Sequence, residues 1–169
     1  MAAPLAGETV RTSHYPKVRV VRKAATETVT NSATLQNDDD FSFTLEADKS
    51  YRIELHLAAS GPAAADIRLA WTATGGVSSP TGRFVLGPDS GTASVVASSM
   101  RASATHAFTT NLVYGTDGAS ISRIYEDFLV DVVGSSGELT LQWAQGTANA
   151  TGTNVFANSY IVVTEVDDL

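Results

Sequence analysis

The chain contains no cysteine. That absence excludes a disulfide scaffold, a thiolate zinc site and a cysteine nucleophile together, and it makes assembly in a reducing cytoplasm costless. Histidine is nearly as scarce. His14, His56 and His106 lie far apart and none has a second imidazole at metal-ligand spacing, so no zinc site is expected. No apolar run approaches the ~20 residues of a membrane-spanning helix. Met1 to Gly7 lacks both the basic n-region and the apolar h-region of a secretory leader. The expectation is a soluble protein made in the cytoplasm, with no membrane partner. The sequon Asn149-Ala150-Thr151 is then never read by the enzyme that glycosylates it. There is no G-x-S-x-G elbow, no internal repeat and no amphipathic helix. Enzymatic activity is not expected, and no catalytic residue, cofactor or metal is assigned.

What is present is a chain of 169 residues, enough for one domain that buries about 70% of its unfolded surface. Its net charge of −7 is unevenly spread. Arg11, Lys17, Arg19, Arg22 and Lys23 are five of the eleven basic residues and face one acid, Glu8, in the first 23 positions. A basic arm therefore precedes an acidic body. Phosphate would repel the body, so nucleic acid is not an expected partner. The arm lacks interleaved aromatics and suits an acidic protein neighbour better.

Residues 1–16 carry Pro4, Gly7 and Pro16 and no period of 2 or 3.6. They read as an extended anchoring arm, with Leu5, Val10, Arg11 and Tyr15, continued by Lys17 and Arg19, as the candidate contacts. Residues 17–169 read as a single all-β domain. Val18 and Val20 alternate with Arg19; Phe41, Phe43 and Leu45 with Ser42 and Thr44; Tyr51, Ile53, Leu55 and Leu57 with Arg52, Glu54 and His56. Ile67, Leu69 and Trp71 continue the pattern. Arg83 to Leu86 is short enough for an edge strand, Gly87 to Gly91 is a turn cluster, and Thr92 to Ser99 and Thr105 to Tyr114 are rich in Thr, Val and Ser. Ile121 to Val133 fits either a helical face or a strand, and β-branching favours the strand. Strands about every ten residues, separated by turn clusters, predict an antiparallel, jelly-roll-like β-sandwich of roughly eight to ten strands. Phe43, Tyr51, Ile53, Leu55, Leu69, Trp71, Leu141 and Trp143 are the expected core.

The last thirty residues are the most distinctive. Leu139 to Gln145 alternates apolar Leu139, Leu141 and Trp143 with Thr140 and Gln142, then small polar residues lead to Asn158 to Val166, a pattern that predicts a β-hairpin. Together with the run Val20 to Asp40, containing Arg22-Lys23 and Thr34-Leu35-Gln36-Asn37-Asp38-Asp39-Asp40, and with Tyr51 to Leu57, this segment resembles β-rich virion proteins of tailed phages, especially those infecting actinobacteria. The resemblance runs from Val18 to Val166. It implies a minor tail protein, fibre tip or surface accessory protein, and brings no catalytic residues with it. More loosely, the terminal strands resemble those of trimeric jelly rolls of the complement-C1q and tumour-necrosis-factor type. That resemblance implies a homotrimer, with Gln142, Gln145, Asn154 and Asn158 as candidates for intersubunit hydrogen bonds.

Three further clusters have alternative readings. Asp38-Asp39-Asp40 can be a cation site with Asn37 or Asp48, or an Asn-Asp turn whose acids sit in water; lacking the spaced ligands and central glycine of a calcium loop, it reads as the turn. Glu54, Glu126 and Asp127 can form a glycosidase-like carboxylate pair or ordinary strand surface. His56, between core positions, should face solvent or a neighbouring subunit. Low charge in Ala58 to Ala65 and Ala93 to Ala104 suits packing against another subunit. The combined expectation is a non-enzymatic structural protein of a tailed-phage virion, a trimeric surface accessory subunit attached through its arm to capsid or tail proteins. The short arm disfavours a long fibre. The alternative is a receptor- or glycan-binding tip recognising a host surface glycan.

Overall fold

The computed structural model describes residues 16–78, 82–90, 100–102, 106–108 and 110–166. Period-2 alternation resolves there into twelve strands: β1 (Val18–Arg22), β2 (Glu27–Val29), β3 (Gln36–Leu45), β4 (Lys49–Ser60), β5 (Ile67–Ala73), β6 (Arg83–Pro88), β7 (Met100–Ala102), β8 (Leu112–Tyr114), β9 (Ser122–Val132), β10 (Gly137–Gln145), β11 (Thr153–Val155) and β12 (Tyr160–Val166). The described residues contain no helix. The larger sheet has the order β1-β12-β4-β9-β6-β7, with β11 joining β4 to β2; the smaller sheet has the order β3-β10-β5-β8. All pairings between strands are antiparallel.

One rule generates this topology. β1 pairs β12, β2 pairs β11, β3 pairs β10, β4 pairs β9, β5 pairs β8 and β6 pairs β7. The pairing is that of one long hairpin, with Gly87 and Pro88, expected in a turn, belonging to β6, and the fold-back between Pro88 and Met100. Partners such as Val18 and Thr164, Val29 and Thr153, Leu45 and Gly137, and Ile67 and Tyr114 lie nearly equidistant in sequence from that fold. Rolling the ribbon creates the remaining pairings, β12 with β4, β11 with β4, β10 with β5 and β6 with β9. A hairpin rolled into two facing sheets is a jelly roll, the arrangement expected from the sequence.

The core lies between the sheets. Phe43, Tyr51, Ile53, Leu55, Leu69, Trp71, Leu141 and Trp143, the residues expected there, are all buried, joined by Phe41, Leu57, Ile67, Tyr114, Phe128, Leu139, Ile161 and others. β9 resolves the ambiguous stretch as a strand, because Ile124, Phe128, Val130 and Val132 point inward at a spacing of 2.

Several expectations are corrected. Leu139 to Val166 is not a hairpin: β10 lies in the smaller sheet and β12 in the larger, so the connection crosses the sandwich and carries β11 on the way. Arg83 to Leu86 is not an edge strand, since β6 sits between β9 and β7. Among the described residues of Thr105 to Tyr114 only Leu112–Tyr114 is a strand, while residues 91–99 lie outside the described residues. Of the low-charge stretch Ala58 to Ala65, Ala58, Ala59 and Ala65 are buried within the chain and Ala63 and Ala64 are exposed, while the side chains of Ala93 to Ala104 lie outside the described residues.

Candidate functional site

Two buried polar clusters and one outer face carry the unusual chemistry. The first cluster forms where the chain leaves β1. Lys23, 1% exposed, directs its ammonium at Asp38, 2% exposed, with Nζ 2.9 Å from Oδ1 and 2.8 Å from Oδ2. Its third proton goes to Glu27 Oε2 at 2.8 Å, and the Asp40 carboxylate lies 3.6 Å away. Asp38 Oδ1 also accepts the backbone N–H groups of Asp40 and Phe41. The Phe41 ring covers the ammonium, its centroid 5.6 Å from Nζ. Burial pushes the Asp38 carboxyl above its ordinary value, and the Lys23 bond only partly offsets this. For Lys23 burial acts against the ammonium, but Asp38 and Glu27 outweigh it and hold the lysine above its ordinary value. The two directions have different causes: loss of water dominates at Asp38, and the hydrogen bonds to Asp38 and Glu27 together dominate at Lys23. The reading of Asp38 as a solvated turn residue is therefore wrong. Asp39 alone of the three is fully exposed, and among the described residues no group of three or more histidines and carboxylates is placed to hold a metal ion.

The second cluster is in the core. Glu126 is fully buried; Oε2 accepts the Trp71 indole N–H at 2.7 Å and Oε1 the Tyr114 hydroxyl at 2.7 Å. The Arg83 guanidinium, also fully buried, lies 3.5 Å from Glu126 Oε2 and donates to the carbonyls of Phe108 and Thr110. Placing Glu126 on an exposed face with Glu54 and Asp127 is therefore also corrected. The three carboxylates do not converge. Glu54 and Asp127 sit opposite each other on the outer face and Glu126 points into the core. With every acceptor engaged and no opening to solvent, Glu126 is built to hold the sheets together.

The outer face of the larger sheet is different. Directly paired residues share a face, which defines three rows: Val18, Thr164, Arg52 and Leu129; Val20, Val162, Glu54, Asp127 and Phe84; Arg22, Tyr160, His56, Tyr125 and Leu86. In the third row the His56 ring stacks on Tyr160 with centroids 4.5 Å apart and meets the edge of Tyr125 at 5.0 Å. Beside it is a cavity of about 320 Å³ lined by His56, Leu86, Arg123, Tyr125 and Tyr160 among others. Val20, Phe84 and Leu129 are 59%, 47% and 56% exposed. The charges on this face are balanced and locally paired. Arg52 bridges Asp127 at 2.7 Å and Glu54 at 3.2 Å, and the Tyr125 hydroxyl donates to both carboxylates. Partial burial, then the neighbouring carboxylates, push the Tyr125 phenol up to about 12.

The candidate residues named from sequence are scattered. Leu5, Val10, Arg11 and Tyr15 lie outside the described residues. Lys17 and Arg19 belong to the body: Glu165 N donates to the Lys17 carbonyl, the Lys17 ammonium lies 3.5 Å from Glu165, and Arg19 donates to the Thr44 carbonyl over the Phe43 ring. Gln145 is fully buried. Its amide bonds Thr151 O, Asn149 N and Ser32 N within the subunit, so it is not available to a second subunit. Gln142 donates to Asn37, Asn154 accepts from Thr28 and donates to Ser60, and exposed Asn158 accepts from Arg22. The aromatic row of the larger sheet was not picked out from sequence. The signal was available, since Tyr160, His56 and Tyr125 all fall on the outward phase of their strands.

No protein-family model matches the chain, and no curated protein matches it in sequence. Among solved structures it is similar to the Eiger TNF of S. frugiperda, at 6% identity over 92% of this chain and 95% of that one, with a TM-score of 0.43. It is also similar to infectious bursal disease virus, Gx strain, at 14% identity over 89% of this chain and 39% of that one, with a TM-score of 0.23. For the VP2 subviral particle of infectious bursal disease virus the figures are 18%, 89%, 40% and 0.22. The chain thus spans about two fifths of those viral chains.

Proposed function

We propose that the protein is a non-enzymatic structural subunit of a tailed-phage virion, a surface accessory protein of the capsid or tail that forms a homotrimer and attaches through its N-terminal arm. The observation that carries this reading is the outer face of the larger sheet. A chain with a net charge of −7 resists meeting its own copies except where charge cancels. On this face Arg22, Arg52 and Arg123 balance Glu54, Asp127 and Asp131, and apolar and aromatic side chains fill the space between them. Five strands spaced about 4.8 Å apart, over some nine residues of β9, give a footprint of roughly 700 Å². That approaches the ~800 Å² per partner of a standard interface. Arg52, Glu54 and Asp127 are already paired, so covering them strands no lone charge. The attachment role rests on the composition of residues 1–16 and on the sequence resemblance.

Light scattering of the full chain across micromolar concentrations tests self-association: three times the 17.7 kDa chain mass is expected. Phe84→Glu should shift that mass to the monomer while leaving the far-ultraviolet dichroism unchanged. A wild-type monomer at every concentration would sink the trimer. Mass spectrometry of purified heads and tails then locates the chain in the particle.

A second reading draws on one specific observation, the stacked Tyr160 and His56 rings beside a cavity of about 320 Å³. Aromatic faces of this kind bind sugars. A glycan array that retains the full chain, and loses it on Tyr160→Ala, would favour a receptor-binding tip. Turnover of cell-wall or capsule polymers would overturn the non-enzymatic assignment.

A further inference from the structure

We propose that the Lys23 amine and the Asp38 carboxyl join in an intramolecular amide bond, closed with Glu27 as proton relay. As a mere ion pair the cluster is costly, because two charges are withdrawn from water beside an aromatic ring. Its geometry brings the reacting groups together. Nζ bonds both Asp38 oxygens, at 2.9 and 2.8 Å, edge-on to the carboxylate, so attack on the carboxyl carbon follows loss of a proton and a swing of the amine onto the carboxyl face. The two oxygens are held differently. Oδ1 accepts the backbone N–H groups of Asp40 at 3.0 Å and Phe41 at 3.1 Å, a pair of fixed donors where negative charge would develop. Oδ2 bonds only to Lys23 among the described contacts and can depart. Glu27 Oε2, 2.8 Å from Nζ, is the base within reach, and its side chain is 15% exposed against 1% for Lys23, an exit for the released water.

The step balances without a co-reactant. One ammonium proton passes to Asp38 Oδ2, leaving a neutral amine beside a neutral acid; burial of Asp38 favours this transfer and the raised Lys23 pKa opposes it, which makes it the slow step. The nitrogen lone pair forms the N–C bond and the C=O π pair moves to Oδ1, held by the two backbone donors. Glu27 takes the second proton from nitrogen and delivers it to the Oδ2 hydroxyl. The C–Oδ2 bond breaks, water leaves, and the Oδ1 pair restores the carbonyl. Ammonium and carboxylate become amide and water, and Glu27 ends as it began. The new bond would tie the end of β1 to β3 across the two sheets.

The test is intact-mass and peptide mass spectrometry of the purified full chain, incubated to completion. The wild type should weigh one water, about 18 Da, less than expected from the Lys23→Arg variant after allowing for the substitution. Trypsin should fail to cleave after Lys23, and a branched peptide should link Lys23 to Asp38. Glu27→Gln, shown to be folded by dichroism, should stay at full mass. Asp38→Asn should still couple but release ammonia, a loss of about 17 Da, which separates the amide from any other dehydration. A wild-type chain at full mass with trypsin cutting after Lys23 would overturn the proposal. Coupling in Glu27→Gln at the wild-type rate would overturn the role of Glu27.

Discussion

At the scale of single residues, the two tryptophans separate burial from hydrogen bonding. Both are core residues, but the Trp71 N–H donates to Glu126 whereas Trp143 Nε1 has no hydrogen-bond partner among the described residues. Trp143→Ala should cost about 3–5 kcal/mol, as a large core truncation does. Replacement by phenylalanine should split the pair. Trp71→Phe leaves a buried carboxylate short of a donor and should cost about 1–3 kcal/mol more than Trp143→Phe, measured by urea unfolding. Tyr125 provides a titration. Its phenol, pushed up to about 12, should ionise later than ordinary tyrosines near 10, and Tyr125→Phe should delete a late step from the ultraviolet absorbance titration. The folded chain then holds a proton that the unfolded chain has lost, so this group's contribution to stability falls as pH rises from about 10 to 12. Alternation identified the apolar core but not the charges inside it. Glu126 lies in phase with Ile124 and Phe128 and was legible as inward-facing. Asp38 was not, because the β3·β10 register shifts between Thr140 and Gln142, breaking the phase that links Asp38 to Phe41 and Phe43.

At the scale of elements, strand existence was legible and strand partnership was not. Period 2 reports that one face is buried, and says nothing about which of two sheets supplies the cover. Segments adjacent in sequence, such as Leu139 to Gln145 and Asn158 to Val166, therefore looked like a hairpin although they lie in opposite sheets. The crossings depend on glycine for two separable reasons. Gly134 has φ +75 and open space around a prospective Cβ, so Gly134→Ala pays only the left-handed backbone strain, about 1–2 kcal/mol. A Cβ on Gly137 would lie 2.2 Å from the Thr74 carbonyl and 2.6 Å from Val77 Cγ2. Backbone cannot yield as a side-chain tip does, so Gly137→Ala should lower the melting temperature more than Gly134→Ala, and the reverse order would contradict the passage from β9 in the larger sheet to β10 in the smaller.

At the scale of the whole molecule, the predicted division between arm and body has a direct test. Deleting Met1 to Pro16 leaves every described strand intact, since β1 begins at Val18. The truncated chain should fold and self-associate as the full chain does, yet fail to decorate particles lacking the protein. Residues 1–16 hold one base, Arg11, against one acid, Glu8, and Lys17, Arg19, Arg22 and Lys23 are engaged in the body, so attachment through the arm should depend only weakly on salt. Equal decoration by the truncated chain would move the anchor onto the sandwich.

Because β1 pairs β12 antiparallel, the start of β1 and the end of β12 meet at one corner, where Glu165 N donates to the Lys17 carbonyl. Among the described residues β1 is an edge strand whose only sheet neighbour is β12. Tension applied through residues preceding Pro16 therefore peels β1 from one side, loading its backbone bonds in succession rather than together. Peeling ends at Lys23, whose side chain grips Asp38 on the opposite sheet. From there the load passes into β3, which is flanked by β10, and both layers must yield before the body does. Lys23→Ala should leave the resting fold paired at β1 and yet lower the force at which the strand detaches, an outcome readable by single-molecule pulling.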